Sequence, residues 1–142
     1  MPETGIRLLD RNLPDVDVEE AARLAHTHFA IKGELHALGG ERDLNFRIDG
    51  DGASHIFKIS NSEDGEDIVG LQVAALQHIR ARDPSLPVPH MHADRDGQFM
   101  RRVTAENGDS HILRLLGCLP GTPVEDTPAT LRTWREIGAL MG

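Results

Sequence analysis

Cysteine is almost missing from this chain: Cys118 stands alone, so an internal disulfide is excluded and a reducing, cytoplasmic setting is expected. Long apolar runs are missing too. Charges, Gly or Pro interrupt every stretch well short of the ~20 residues that a bilayer span needs, and residues 1–10 lack the basic flank and apolar centre of a leader. A protein without membrane attachment is expected. Basic residues are in deficit, with 15 Lys and Arg against 23 Asp and Glu, a net charge of −8 and an isoelectric point near 5.4. That balance argues against a general binder of phosphate backbones, so nucleic acid is not an expected partner. Repeats and low-complexity tracts are absent. What remains is 142 residues, 39% hydrophobic and 4% aromatic, the size and make-up of one ordinary domain.

Residues 1–16 are turn-rich and acidic, which predicts an extended lead-in. At Asp17 the pattern changes. Asp17 can cap a helix with Glu19 and Glu20 in its first turn and Val18, Ala21, Ala22, Ala25 and Phe29 at helical spacing. Beyond Gly33, residues 34–38 alternate as a strand, and Gly39 with Gly40 makes a turn. Residues 43–48 put Leu44, Phe46 and Ile48 on one face and Asn45 and Arg47 on the other. After the turn at 49–52, residues 54–60 return, with Ile56, Lys58 and Ser60 opposite His55, Phe57 and Ile59. Ile68, Leu71, Ala75, Leu76 and Ile79 predict a helix stopped by Asp83 and Pro84. Two more strands are expected, one joining residues 90–93 to 98–103 and one over 110–116. A break at 119–123 precedes a helix opened by Thr127 and Pro128, with Leu131, Trp134, Ile137, Leu140 and Met141 as its apolar stripe.

The chemistry centres on Lys58. A lysine between Phe57 and Ile59 in a strand is costly to bury unpaired, so it either snorkels to an edge or meets a negative group. A nucleotide phosphate is such a group. Taken together, GGERDLNFRI (39–48), HIFKISN (55–61), IVGLQVAALQHI (68–79), LPVPHM (86–91) and LRLLGCLPGTPV (113–124) resemble the aminoglycoside phosphotransferase family, with its protein-kinase-like fold. Within that family they look most like the hydroxylysine-kinase branch and the kinase-like domain fused to class III aminotransferases.

The resemblance implies an α+β amino-terminal lobe: a five-stranded antiparallel sheet with a helix between its third and fourth strands. It implies a nucleotide loop over 39–45, with Gly39, Gly40, Arg42 and Asn45, and a phosphate-contacting Lys58. Gln72 on the helix would orient Lys58, in a position where many kinases carry glutamate, with Glu63 and Glu66 as nearby carboxylates. Leu116, Gly117, Cys118 and Leu119 would form the hinge that meets adenine. The implied cofactors are ATP and Mg2+.

Two features depart from the pattern. The loop lacks the GxGxxG spacing of protein kinases. No His-x-Asp loop with a downstream Asn follows Gly121, and no later Asp for magnesium. No catalytic residue and no metal ligand is therefore expected within the chain. The implied organisation is a lead-in over 1–16, the nucleotide-binding lobe over 17–124, and over 125–142 the start of a helix leading to an absent carboxy-terminal lobe. That lobe would supply the acceptor contacts and the magnesium ligands, leaving the fragment inactive alone.

The expected partners are ATP, a small-molecule hydroxyl acceptor such as an amino alcohol, hydroxylated amino acid or aminoglycoside, and the remaining lobe. The alternative is a degenerate kinase-like binding or regulatory domain fused to a pyridoxal-phosphate-dependent class III aminotransferase. A stand-alone interaction domain has only the unmatched stripe ending at Met141 in its favour. His90 and His92 share a strand face as two zinc ligands could, but further ligands at suitable spacing are missing, so no metal site is expected.

Overall fold

The structure, a computed structural model, describes residues 13–50, 52–122 and 126–142. Most of the expected lead-in, Asp51 of the hairpin turn, and residues 123–125 at the expected lobe boundary lie outside the described residues. Helix α1 (Val18–Phe29) begins where Asp17 predicts, the Asp17 carboxylate accepting from the Glu20 amide at 2.8 Å. It ends at Ala30, which adopts a left-handed conformation with φ 56°, three residues ahead of the expected break at Gly33. Strands β1 (Glu34–Leu38), β2 (Leu44–Gly50) and β3 (Ala53–Ile59) then form an antiparallel meander. Helix α2 (Glu66–Arg82) follows, and then β4 (Met91–His92), β5 (Arg101–Thr104) and β6 (Ser110–Gly117).

The sheet has six strands in place of the expected five. Its order is β1-β2-β3-β6-β4, with β5 also on β6. The extra strand arises because the segment expected to be continuous is split. β4 and β5 pair with successive stretches of β6, and a loop closed on the buried Asp94 parts them. The Asp94 carboxylate accepts from the amides of Asp96 and Gln98, each at 2.9 Å, and from Arg101 Nε at 2.7 Å. Satisfying that carboxylate inside the loop takes these residues out of the ladder.

The two faces of the sheet bury different things. On one face, Phe46, Ile48, Phe57, Ile59, Leu113 and Leu115 pack with Ala21, Ala25 and Phe29 of α1 in one apolar cluster. Phe57 is fully buried, its ring edge-on to Phe29 at 6.0 Å between centroids, and burial on this scale stabilises by about 1.5–3 kcal/mol per large side chain. On the other face, α2 covers a smaller cluster of Val73, Met91 and Leu116, with Ile56, Leu76 and Phe99 at its margin.

The buried stripe of α2 runs through Val69, Val73 and Leu76. It is not the one the periodicity predicts, since Ile68 and Leu71 are exposed at 49% and 71%. An α2 with apolar residues on most sides offers two stripes, and the one turned inward has Gly70 beside it, where a Cβ would sit 3.5 Å from Met100, just ahead of β5. Helix α3 (Leu131–Met141) also begins later than expected. Thr130 caps it by accepting from the Thr133 amide at 3.2 Å, while Thr127 and Pro128 precede it. The expected stripe is on the surface, with Leu131, Trp134, Leu140 and Met141 between 58% and 84% exposed. Among the described residues, no helix is long and apolar enough to cross a membrane.

Candidate functional site

Lys58 faces the α2 side of the sheet by strand alternation, two residues beyond Ile56. Its register neighbours are Asn45 on β2 and Arg114 on β6, so a polar row crosses three strands in the middle of an otherwise apolar layer. Arg114 is buried. Its Nη1 donates to Gln72 Oε1 at 2.7 Å and its Nη2 to Asp43 Oδ2 at 3.2 Å. Lys58 has no hydrogen bond or ion pair among the described residues. Its pKa lies below the ordinary lysine value, first because burial disfavours the ammonium and then because Arg114 repels it, with Asp43 only partly offsetting both. An anion arriving beside Lys58 reverses that shift.

A cavity of about 310 Å³ opens over this row, lined by Glu41, Arg42, Asp43, Asn45, Lys58, Asp64 and Gln72. The β1–β2 turn forms its roof. A Cβ on Gly40 would lie 2.5 Å from the Asp43 carbonyl oxygen and 2.8 Å from Asn45 Nδ2, whereas one on Gly39 would meet nothing within 4 Å. Gly40 is therefore required by close packing, and Gly39 leaves room beside the turn. Asn45 Oδ1 is buried without a hydrogen-bond partner among the described residues.

A second cavity of about 320 Å³ adjoins it toward the end of β6, lined by Leu38, Arg47, Ile56, Cys118, Leu119, Pro120, Gly121 and Thr122. Ile56 and Leu38 give it an apolar ceiling. The backbone at its edge is partly used, since the Gly117 amide donates to the His90 carbonyl at 2.8 Å and the Cys118 amide to the Ser54 carbonyl at 3.0 Å. Leu116 contributes no lining; its side chain is buried in the α2 cluster. The two cavities set a strand lysine without an ion-pair partner among the described residues, under a glycine turn, beside a slot walled partly by apolar side chains at a strand terminus.

The structure thus gathers Arg42, Asn45, Lys58 and Gln72 around one cavity and Cys118 with Leu119 around its neighbour, while Gly39 and Gly40 sit in the adjoining turn and Leu116 and Gly117 line neither. Three expected interactions differ. Gln72 gives its carboxamide oxygen to Arg114, not Lys58. Arg42, expected to face the phosphates, is tied to Asp64 at 2.9 Å, and Glu66, expected as a carboxylate near Lys58, pairs with Arg102 at 3.1 Å. Sequence reasoning missed Asp43, Arg114, Ile56 and Leu38. Arg114 carried the same signal as Lys58, a cation inside the apolar strand ILRLL. His55, His90 and His92 meet edge to face near the end of β6, with centroids 4.7 and 5.2 Å apart. Among the described residues, no group of three or more side chains is placed to hold a metal ion.

No protein-family model matches the chain. It is similar to hydroxylysine kinase of Bos taurus, 26% identical over a 139-residue alignment that covers 89% of this chain and 37% of that protein. Among solved structures, a microcompartment-associated aminopropanol kinase superposes with a TM-score of 0.71 at 16% identity, covering 87% of this chain and 38% of the other. The fold is kinase-like. Spectinomycin phosphotransferase, solved with ADP and spectinomycin, gives 0.60 at 11% identity over 90% of this chain and 37% of its own. Amicoumacin kinase, solved with AMP-PNP and Ca2+, gives 0.60 at 17% identity over 76% and 33%. The chain spans a little over a third of the first relatives' length, the extent of one kinase-like lobe.

Proposed function

We propose that the chain is the ATP-binding lobe of a small-molecule kinase, which transfers the γ-phosphoryl group of ATP to a hydroxyl of an amino alcohol, a hydroxylated amino acid or an aminoglycoside-like acceptor. The observation that carries this reading is Lys58, half-buried, unpaired and depressed in pKa beneath the β1–β2 turn. Its ammonium meets the ATP phosphates, with Gly39, Gly40 and Asn45 closing over them. Adenine occupies the apolar slot between Ile56, Leu38 and the Cys118–Leu119 backbone. Phosphoryl transfer demands positioning and charge stabilisation more than covalent chemistry from the protein. A divalent metal supplies charge neutralisation on the phosphates when bound, and Asp43 and Asp64, engaged with Arg114 and Arg42, are poor candidates to hold it. Its ligands, the catalytic base and the acceptor contacts belong to the remaining two-thirds of a relative's length. A cytoplasmic location, where ATP is supplied, accompanies this reading.

The fused aminotransferase reading draws on Gln72, since an amide cannot neutralise Lys58. One experiment separates the two. The full-length protein is incubated with Mg-ATP and a panel of amino alcohols, hydroxylated amino acids and aminoglycosides, with ADP release as readout. Acceptor-dependent ADP release supports the kinase, whereas Mg-ATP binding without turnover on any acceptor supports the degenerate module. Absence of Mg-ATP binding contradicts the kinase reading.

A further inference from the structure

Arg114 is 4% exposed, yet it reaches two separate elements. One guanidinium nitrogen is held by Gln72 of α2 and another by Asp43 of the β1–β2 turn, at 2.7 and 3.2 Å. The other oxygen of Asp43 accepts from the Asn61 amide at 3.1 Å, just beyond β3. A planar fork can hold two acceptors at fixed angles, and an ammonium cannot. Arg114 Nε is buried and unpartnered among the described residues, so the fork is committed to these contacts and not to solvent.

We propose that Arg114 is a positioning residue, a strut that locks the nucleotide loop to α2 and sequesters the Asp43 carboxylate so that Lys58 stays free for phosphate. In protein kinases a helix carboxylate pairs with the strand lysine. Here the order is rearranged: the helix contributes a neutral amide, the loop contributes the carboxylate, and a second strand cation joins them. Asp43 is engaged by Arg114, and Asp64, which also acts on Arg114, is held by Arg42, so neither carboxylate is bonded to Lys58 and its ammonium is left for an incoming phosphate. Binding of nucleotide, loop position and α2 position are thereby coupled through one side chain. Burying a charge this deeply is tolerable because both bonded partners are already in place.

The proposal rests on the nucleotide reading, and the test separates their failures. Mg-ATP affinity, KM for ATP and KM for acceptor are measured in the full-length protein for Arg114→Met, Arg114→Lys, Asp43→Asn, Gln72→Leu and the Arg114→Met/Asp43→Asn pair. Amide exchange is followed at Asn61 and over residues 41–45. The expected result is a loss of about tenfold in ATP affinity for Arg114→Met, not rescued by Arg114→Lys. The double variant is expected to be no worse than either single, and the acceptor KM unchanged. Exchange at Asn61 quickens even without nucleotide. Gln72 lies at the exposed helix surface, so Gln72→Leu folds and is expected to weaken ATP by about threefold. Additive effects of Arg114→Met and Asp43→Asn, full rescue by Arg114→Lys, or unchanged Asn61 exchange each overturn the strut. A wild-type protein that ignores Mg-ATP overturns the nucleotide reading, and Asn61 exchange in Arg114→Met still decides the strut.

Discussion

The sheet has one face that holds the fold and one that bears the site. Against α1 it presents Phe46, Ile48, Phe57, Ile59, Leu113 and Leu115, a continuous apolar layer. Against α2 the same three strands present Asn45, Lys58 and Arg114 at the matching central positions. Because alternate residues of one strand serve opposite faces, β3 contributes to both at once: Phe57 anchors the core while Lys58, its neighbour in sequence, carries an unpaired charge. The difference teaches how a kinase-like sheet tolerates a destabilising row. The α1 face supplies the apolar packing that offsets it, and in the proposed function the row's polarity is what would draw an anion.

The comparison breaks most strongly at Phe57. Phe57→Ala is expected to cost about 3–5 kcal/mol in denaturant unfolding, without any direct contact to the cavity; a loss below 1 kcal/mol would deny the α1 face its role. Gly40→Ala attacks the other face. Its methyl meets the Asp43 carbonyl oxygen at 2.5 Å, so the turn must shift, with a stability loss of about 1–3 kcal/mol and a fall in Mg-ATP affinity. Unchanged affinity on titration contradicts the roof assigned to this turn. Asp17→Ala removes the α1 cap and is expected to cost about 1 kcal/mol with ATP affinity intact.

The smallest effect is in pH. Burial holds His55 and His92 below the ordinary histidine value of 6.5, and for His92 the neighbouring His55 and His90 add to it. A depressed histidine pKa means that the unfolded chain binds protons more readily, so stability is complete at neutral pH and declines as pH falls below about 6.5. Melting curves between pH 5 and 8 read this directly, and His92→Gln is expected to flatten them. A curve as steep in His92→Gln as in wild type sinks the assignment.

The α1 face was largely legible in the sequence, because apolar periodicity states which residues want to leave water: the strand faces, the Asp17 cap and the meander all follow from it. The site was legible only where a residue defied that periodicity, as Lys58 does. Arg114 defied it in the same way and was passed over, since no motif drew attention to it. That Gln72 pairs with Arg114 and leaves Lys58 without a bonded partner among the described residues was not legible at all. It depends on which of two apolar stripes α2 turns inward and on Asp43 reaching 71 positions along the chain to Arg114, a choice made by packing and not by local pattern. The sixth strand escaped for a similar reason, being defined by hydrogen bonds of the Asp94 side chain that spacing does not reveal.

The central claim, that the α2 face holds a phosphate site at Lys58, is tested most directly by titrating the full-length protein and its Lys58→Met variant with Mg-ATP in a calorimeter, alongside thermal melts. The lowered pKa of Lys58 means that burial and the neighbouring Arg114 disfavour its charged form in the folded state. The expected result is therefore a loss of at least about tenfold in affinity together with a melting temperature equal to or above that of the wild type. ATP affinity unchanged in Lys58→Met contradicts the account.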